Sequence, residues 1–132
     1  MIPEKVIKNL RLDVSKEVLV INAPVDFAEI IKHLPHDTGI NNSKLGKYDF
    51  VQLFAESQSE LEKLVKQVEK AGKYDCLFWA SYPKGGGSIK SDIKRETVWK
   101  AFDLINLQAV SQISIDETWS ALRARPTEKV GK

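Results

Sequence analysis

The sequence predicts an α/β domain of the small Rossmann-like sandwich kind, with a mainly parallel sheet of about five strands and a carboxyl-terminal antiparallel hairpin. Three observations predict it. Short runs that are apolar on both alternating faces, such as Val18-Leu19-Val20-Ile21, need cover on two sides. Between these runs lie segments with apolar residues at helical spacing, a succession that implies right-handed crossovers and parallel pairing. The last two runs meet at Asp116-Glu117, too closely for anything except an antiparallel pair.

Residues 1–16 form a lead-in. Val6, Ile7, Leu10 and Leu12 suggest a short helix, and Pro3 suits an early helical position. The first strand is Glu17 to Asn22. Pro24 breaks the ladder, Asp26 is placed to cap a helix, and Phe27, Ile30, Ile31 and Leu34 fall on one helical stripe that ends near Pro35. His36 to Lys47 is polar, with Gly39, Asn41, Asn42, Ser43 and Gly46, and reads as a connection.

Tyr48 to Phe54 is the second strand. Ser57 or Ser59 then caps a helix whose Leu61, Leu64, Val65 and Val68 repeat the stripe and which Gly72 closes. Asp75 to Tyr82 is the third strand and the most continuously apolar, which nominates it for the sheet centre. A loop from Pro83 to Ser91 leads to a helix over about Asp92 to Asn106, carrying Val98, Ala101, Phe102 and Ile105 with Trp99 beside them. Gln108 to Ile115 and Thr118 to Arg125 are the hairpin strands, and residues 126–132 are expected to fray.

Bulk properties exclude several classes. The 132 residues make about one domain, and 20 basic against 18 acidic side chains leave a charge of only +2. Lysines alternate with glutamates along helical faces rather than forming a basic stripe among aromatics, so nucleic acid is not an expected partner. The single Cys76 rules out an internal disulfide and a Cys-rich zinc site, and it sits in an apolar run where a core thiol is the simplest reading. No leader pattern and no apolar run of about 20 residues are present, so a membrane is not expected and the cytoplasm is the expected location. A homo-oligomer is left open.

In open α/β sheets ligands bind beyond the carboxyl ends of the strands, which directs attention to three segments. They are Asn22-Ala23-Pro24, Ser81-Tyr82-Pro83-Lys84-Gly85-Gly86-Gly87-Ser88-Ile89-Lys90, and Asp116-Glu117-Thr118-Trp119. In the second, three glycines bare backbone amides among Lys84, Lys90, Lys94 and Arg95, so phosphate or carboxylate could dock there. The alternative is a flexible surface loop. Lys84 precedes the glycines, unlike the Walker pattern, and Ala23-Pro24-Val25 stands where a dinucleotide site needs its glycine turn, which argues against ATP, NAD and FAD. No cofactor is indicated.

Asp116 and Glu117 offer either a salt-bridged hairpin or, beside Lys84, a binding group or general base. His33 and His36 lack the acids or thiols a metal needs. Cys76, Ser81 and Ser88 lack the setting of an activated nucleophile. Trp79 and Trp99 read as core aromatics, whereas Trp119 fits either core or ligand.

Three stretches carry a resemblance: Val18-Leu19-Val20-Ile21-Asn22-Ala23-Pro24; Trp79 to Gly85 with Ile89-Lys90-Ser91-Asp92-Ile93; and Ile115 to Arg123. The chain resembles a bacterial family of small uncharacterised domains with Asn-Ala-Pro, Tyr-Pro-Lys and Asp-Glu-x-Trp-Ser signatures, over nearly its whole length. That resemblance implies no activity. In outline the last half is also similar to the carboxyl half of Rossmann-like methyltransferases, which end in a like hairpin, although their glycine-rich cofactor turn has no counterpart here.

The expectation from sequence is a non-catalytic or regulatory module. Its cleft would be lined by Asn22, Pro24, Lys84, Gly85, Gly86, Gly87, Ser88, Lys90, Asp116, Glu117 and Trp119, and would take a small anionic ligand or an acidic peptide. The alternatives are an enzyme with Asp116 or Glu117 as base and Lys84 as electrostatic stabiliser, and a structural or oligomerisation domain with a flat apolar patch in place of a cleft.

Overall fold

The structure, a computed structural model, describes residues 4–130. Five strands, β1 (Val18–Ile21), β2 (Tyr48–Phe54), β3 (Gly72–Pro83), β4 (Leu107–Ser114) and β5 (Trp119–Pro126), form one sheet in the order β1-β2-β3-β5-β4. β1 pairs with β2 and β2 with β3 in parallel, while β5 runs antiparallel to both its neighbours. Four strands therefore point one way and β5 alone reverses, the mainly parallel sheet that the sequence predicts. β3 is central, as its apolar run requires.

Helices α1 (Lys5–Leu10) and α2 (Val25–Ile31) cover one face, and α3 (Gln58–Gln67) and α4 (Arg95–Asp103) the other. The strand periodicity of two divides the core accordingly. Val18, Val20, Phe50, Phe54 and Trp79 join Leu10, Phe27 and Ile31 on the first face. Leu19, Val51, Leu53, Phe78 and Ala80 join Leu61, Val65, Val98 and Phe102 on the second. Burying a large apolar side chain contributes about 1.5–3 kcal/mol, so these two layers are the main stabilising term.

Ser57 is the cap of α3: its hydroxyl accepts the Glu60 N–H at 3.2 Å, and the Glu60 carboxylate accepts the Glu56 N–H at 2.8 Å. Several local expectations fail. α3 ends at Gln67 rather than at Gly72, which instead opens β3. α4 starts at Arg95, not Asp92, because the Ser91 hydroxyl accepts the Ile93 N–H in a turn and Thr97 accepts the Lys94 N–H at the helix start. Trp99 lies on the outer side of α4 and is exposed, since Val98, Ala101 and Phe102 fill the buried stripe. Pro24, not Asp26, occupies the cap position of α2.

Fraying is not seen in the first residues after Pro126. Thr127–Lys129 form a 3-10 turn, the Thr127 N–H donates to Asn106 O at 3.2 Å, and the Tyr74 hydroxyl donates to Glu128. Pro3 and the end of the tail lie outside the described residues. No helix among the described residues is long and apolar enough to cross a membrane.

Candidate functional site

The carboxyl ends of β1, β2 and β3 form one rim, joined by the hairpin between β4 and β5. At its outer end the chain leaves β1 through Asn22, whose φ of 62° is left-handed, a conformation that asparagine tolerates better than other non-glycine residues. Pro24 is extended (φ −66°, ψ 161°) and α2 begins at Val25. Asn22 and Asp26 are exposed, and neither side chain has a hydrogen-bond or ion-pair partner among the described residues.

At the centre of the rim, β3 passes into the glycine loop. The Lys84 N–H donates to Thr118 O at 2.8 Å and the Lys84 amine to the Ser114 hydroxyl at 2.6 Å, tying loop to hairpin. Gly86 is left-handed (φ 78°), which favours glycine there, and a Cβ on Gly87 would stand 3.2 Å from Lys84 O, a tight approach. Asp92 accepts the Gln58 N–H at 2.8 Å, fastening the loop to the start of α3. The loop encloses a cavity of about 380 Å³ bounded by Pro83, Lys84, the three glycines, Ile89, Lys90, Ser91 and Ile93.

Of the residues expected to share one cleft, Lys84, the three glycines and Lys90 line this cavity. Asn22, Pro24, Ser88, Asp116, Glu117 and Trp119 do not line this cavity. Asn22 and Pro24 stand on the same rim, but β2 lies between their strand and β3. Asp116 serves the turn: its Oδ1 accepts the N–H groups of Thr118 and Trp119, each at 2.8 Å. Oδ1 of Asp116 is thereby committed to the turn, and Glu117 is exposed. Trp119 is buried because strand alternation turns it toward α2, where it meets Phe54 edge-on at 5.2 Å while Phe54 meets Phe27 at 5.1 Å. The described residues carry two cavities where a purely structural domain is expected to have no concave site.

Sequence reasoning missed the second cavity, of about 460 Å³, at the opposite end of the sheet. Cys76 packs against the core, as expected, and also borders this cavity, and burial pushes its thiol up to about 11. The one available signal was the pair Gly72 and Cys76, spaced so that the thiol lies over the glycine.

No family model and no curated protein matches the sequence. Among solved structures, the chain is similar to a protein assigned to the type 11 methyltransferases from Sulfolobus solfataricus, with a TM-score of 0.57 and 15% identity over 97% of this chain and 81% of that one. It is similar to PigF, solved with SAH (TM-score 0.58, 10% identity), covering 89% of this chain and spanning only 59% of PigF. It is also similar to the 1,6-didemethyltoxoflavin-N1-methyltransferase of Burkholderia thailandensis, solved with 1,6-didemethyltoxoflavin and S-adenosylhomocysteine (TM-score 0.52, 8% identity, 94% of this chain and 77% of that one). These likenesses overturn the expectation of a regulatory module for an anion or acidic peptide, because the solved neighbours with this architecture are methyltransferases. The chain has the Rossmann-like fold of the methyltransferases.

Proposed function

We propose that the chain is a methyltransferase-type enzyme domain that seats the nucleoside of an S-adenosyl ligand on the corner between β1 and α2. The corner carries this reading: Asn22 makes the left-handed reversal that glycine usually supplies, at the carboxyl end of β1. There it leaves its own carboxamide and the Asp26 carboxylate exposed and unpaired among the described residues. Two adjacent ribose hydroxyls are donors that a carboxylate accepts, and the amide of Asn22 can both donate and accept. The fold shared with PigF, solved with SAH, supports an S-adenosyl ligand.

The residues present fit the group with two departures from the usual dinucleotide pattern. Pro24 supplies no backbone amide. β1 is an edge strand, so the acidic group that would come from a neighbouring strand comes instead from α2 through Asp26. When bound, the ligand supplies an electrophilic methyl group; the chain's part is to hold and orient it. The cavity of the Lys84 loop lies two strands along the same rim, about 10 Å away by the strand spacing, and in this reading receives the methyl acceptor.

Calorimetric titration and thermal shift with S-adenosylhomocysteine test the proposal, because a ligand that selects the folded state raises the melting temperature. The parent chain is expected to bind. Asp26→Ala is expected to weaken binding roughly tenfold or more, equivalent to the loss of a hydrogen bond to a charged group. Asn22→Gly, which keeps the turn and removes the carboxamide, should weaken it less. No heat and no rise in melting temperature at millimolar ligand, or affinity unchanged in both variants, overturns it.

A further inference from the structure

The larger cavity opens at the amino-terminal end of β3, on the α3 and α4 side and at the other end of the sheet from Asn22. Its volume of about 460 Å³ is that of a small-molecule pocket. Its floor is apolar. Val68 follows α3 and Ile105 follows α4, while Phe78, Ala124 and Leu107 come from the adjacent strands β3, β5 and β4.

Well-packed interiors close such gaps, so something must hold this one open. Two steps along β2, Tyr48 to Phe50, face five along β3, Gly72 to Leu77, and the surplus residues Lys73–Cys76 bulge from the ladder. Within the bulge Asp75 has a left-handed backbone (φ 60°), and Arg125 grips its carboxylate with two parallel hydrogen bonds, Nε to Oδ1 at 2.9 Å and Nη2 to Oδ2 at 2.6 Å. Tyr74, next to it, is tied to Glu128. The wall is thus fixed by polar ties on its outer side, and the apolar floor cannot collapse onto it.

The charged side chains around the cavity belong to its polar wall and not to the apolar residues of its floor. Asp75 is neutralised by Arg125, Glu128 accepts from Tyr74, and Glu69, Lys70 and Lys73 are exposed with mixed sign. The floor offers no counter-ion to a charged guest, and burying an unpaired charge against it would be costly. We infer that this cavity is a binding site for an uncharged, largely apolar small molecule, separate from the corner at β1.

The uncharged fluorophore N-phenyl-1-naphthylamine is a suitable probe, followed by its emission and by amide chemical-shift mapping of the full chain. The expected result is saturable emission at one probe per chain. Shifts should be concentrated at Val68, Gly72–Phe78 and Ile105–Leu107, and the signal should be lost in Leu107→Trp, which fills the cavity from a half-buried position of its floor. Absence of saturable binding, or shifts centred on Asn22 or the Lys84 loop, overturns the inference, as does a folded Leu107→Trp that binds like the parent. If that variant does not fold, the shift map of the parent decides alone. S-adenosylhomocysteine is not expected to displace the probe, so either site can fail without the other.

Discussion

The hydroxyl of Tyr48, wholly buried at the start of β2, donates to Asp37 Oδ2 at 2.5 Å and accepts the Asn41 N–H at 3.1 Å. One side chain thereby pins two points of the polar connection between α2 and β2. Asp37 in turn bridges to the outer edge of β1, exchanging backbone hydrogen bonds with Val18 and Val20 at 2.8 and 2.9 Å. Tyr48→Phe should cost about 1–2 kcal/mol, the loss of a buried hydrogen-bonding hydroxyl. Denaturant unfolding measures that cost, and hydrogen exchange should show the Val20 amide opening more often.

Acid should find two weak points. Tyr48 holds the Asp37 carboxyl below the usual aspartate range, and the Arg125 guanidinium does the same for Asp75. A carboxyl whose folded value is depressed contributes stability above its unfolded value, about 3.9, and that stability is lost as pH falls through the folded one. The melting temperature should therefore fall steeply below about pH 4. Arg125→Ala should lower it at neutral pH and make the acid decline shallower; a decline of unchanged steepness would show that Asp75 contributes nothing to it.

Gly72 and Cys76 should be energetically coupled. A Cβ at Gly72 would stand 2.5 Å from Cys76 Sγ and 3.3 Å from Val51 Cγ2. Gly72→Ala is expected to destabilise by about 1–3 kcal/mol through overpacking. Adding Cys76→Ala removes the sulfur and should recover much of that loss, a non-additivity that a double-mutant cycle reads directly. Equal costs with and without the thiol would place the strain elsewhere.

Phe54 links α2 to the hairpin by touching both Phe27 and Trp119. Phe54→Ala should cost about 3–5 kcal/mol and release Trp119 from its fixed setting. Chemical unfolding gives the first quantity, and the near-ultraviolet circular dichroism of the tryptophan gives the second.

Much of the fold was legible in the sequence because it is written in local periodicity. Tyr48–Phe54 has the bounds expected of it, since both alternating faces there are mostly apolar, and the cap at Ser57 carries the local signature with Glu60. The start of β3 was hidden by the bulge at Lys73–Cys76, where a polar, left-handed detour breaks the alternation. The exposure of Trp99 was hidden for a different reason: its neighbours on α4 already fill the stripe, and only the sheet's position decides which side is inward. The candidate site was less legible. Spacing placed Asn22, Lys84 and Asp116 at one end of the sheet, but not the direction in which Trp119 turns or the amides that occupy Asp116. The far cavity depends on Val68, Ile105 and Ala124 meeting across three separate elements, which no short window of sequence contains.

The turn tied by Asp116 also bears on how the chain finds its shape. β4 and β5 are neighbours in sequence as well as in space, whereas each of the three strands before them must wait for a long crossover to bring its partner. The hairpin can therefore zip first and offer its free edge as the template on which β3 lands, leaving the amino-terminal half to assemble last. A chevron comparison would expose this order: Asp116→Ala should slow refolding, while Val20→Ala should chiefly quicken unfolding.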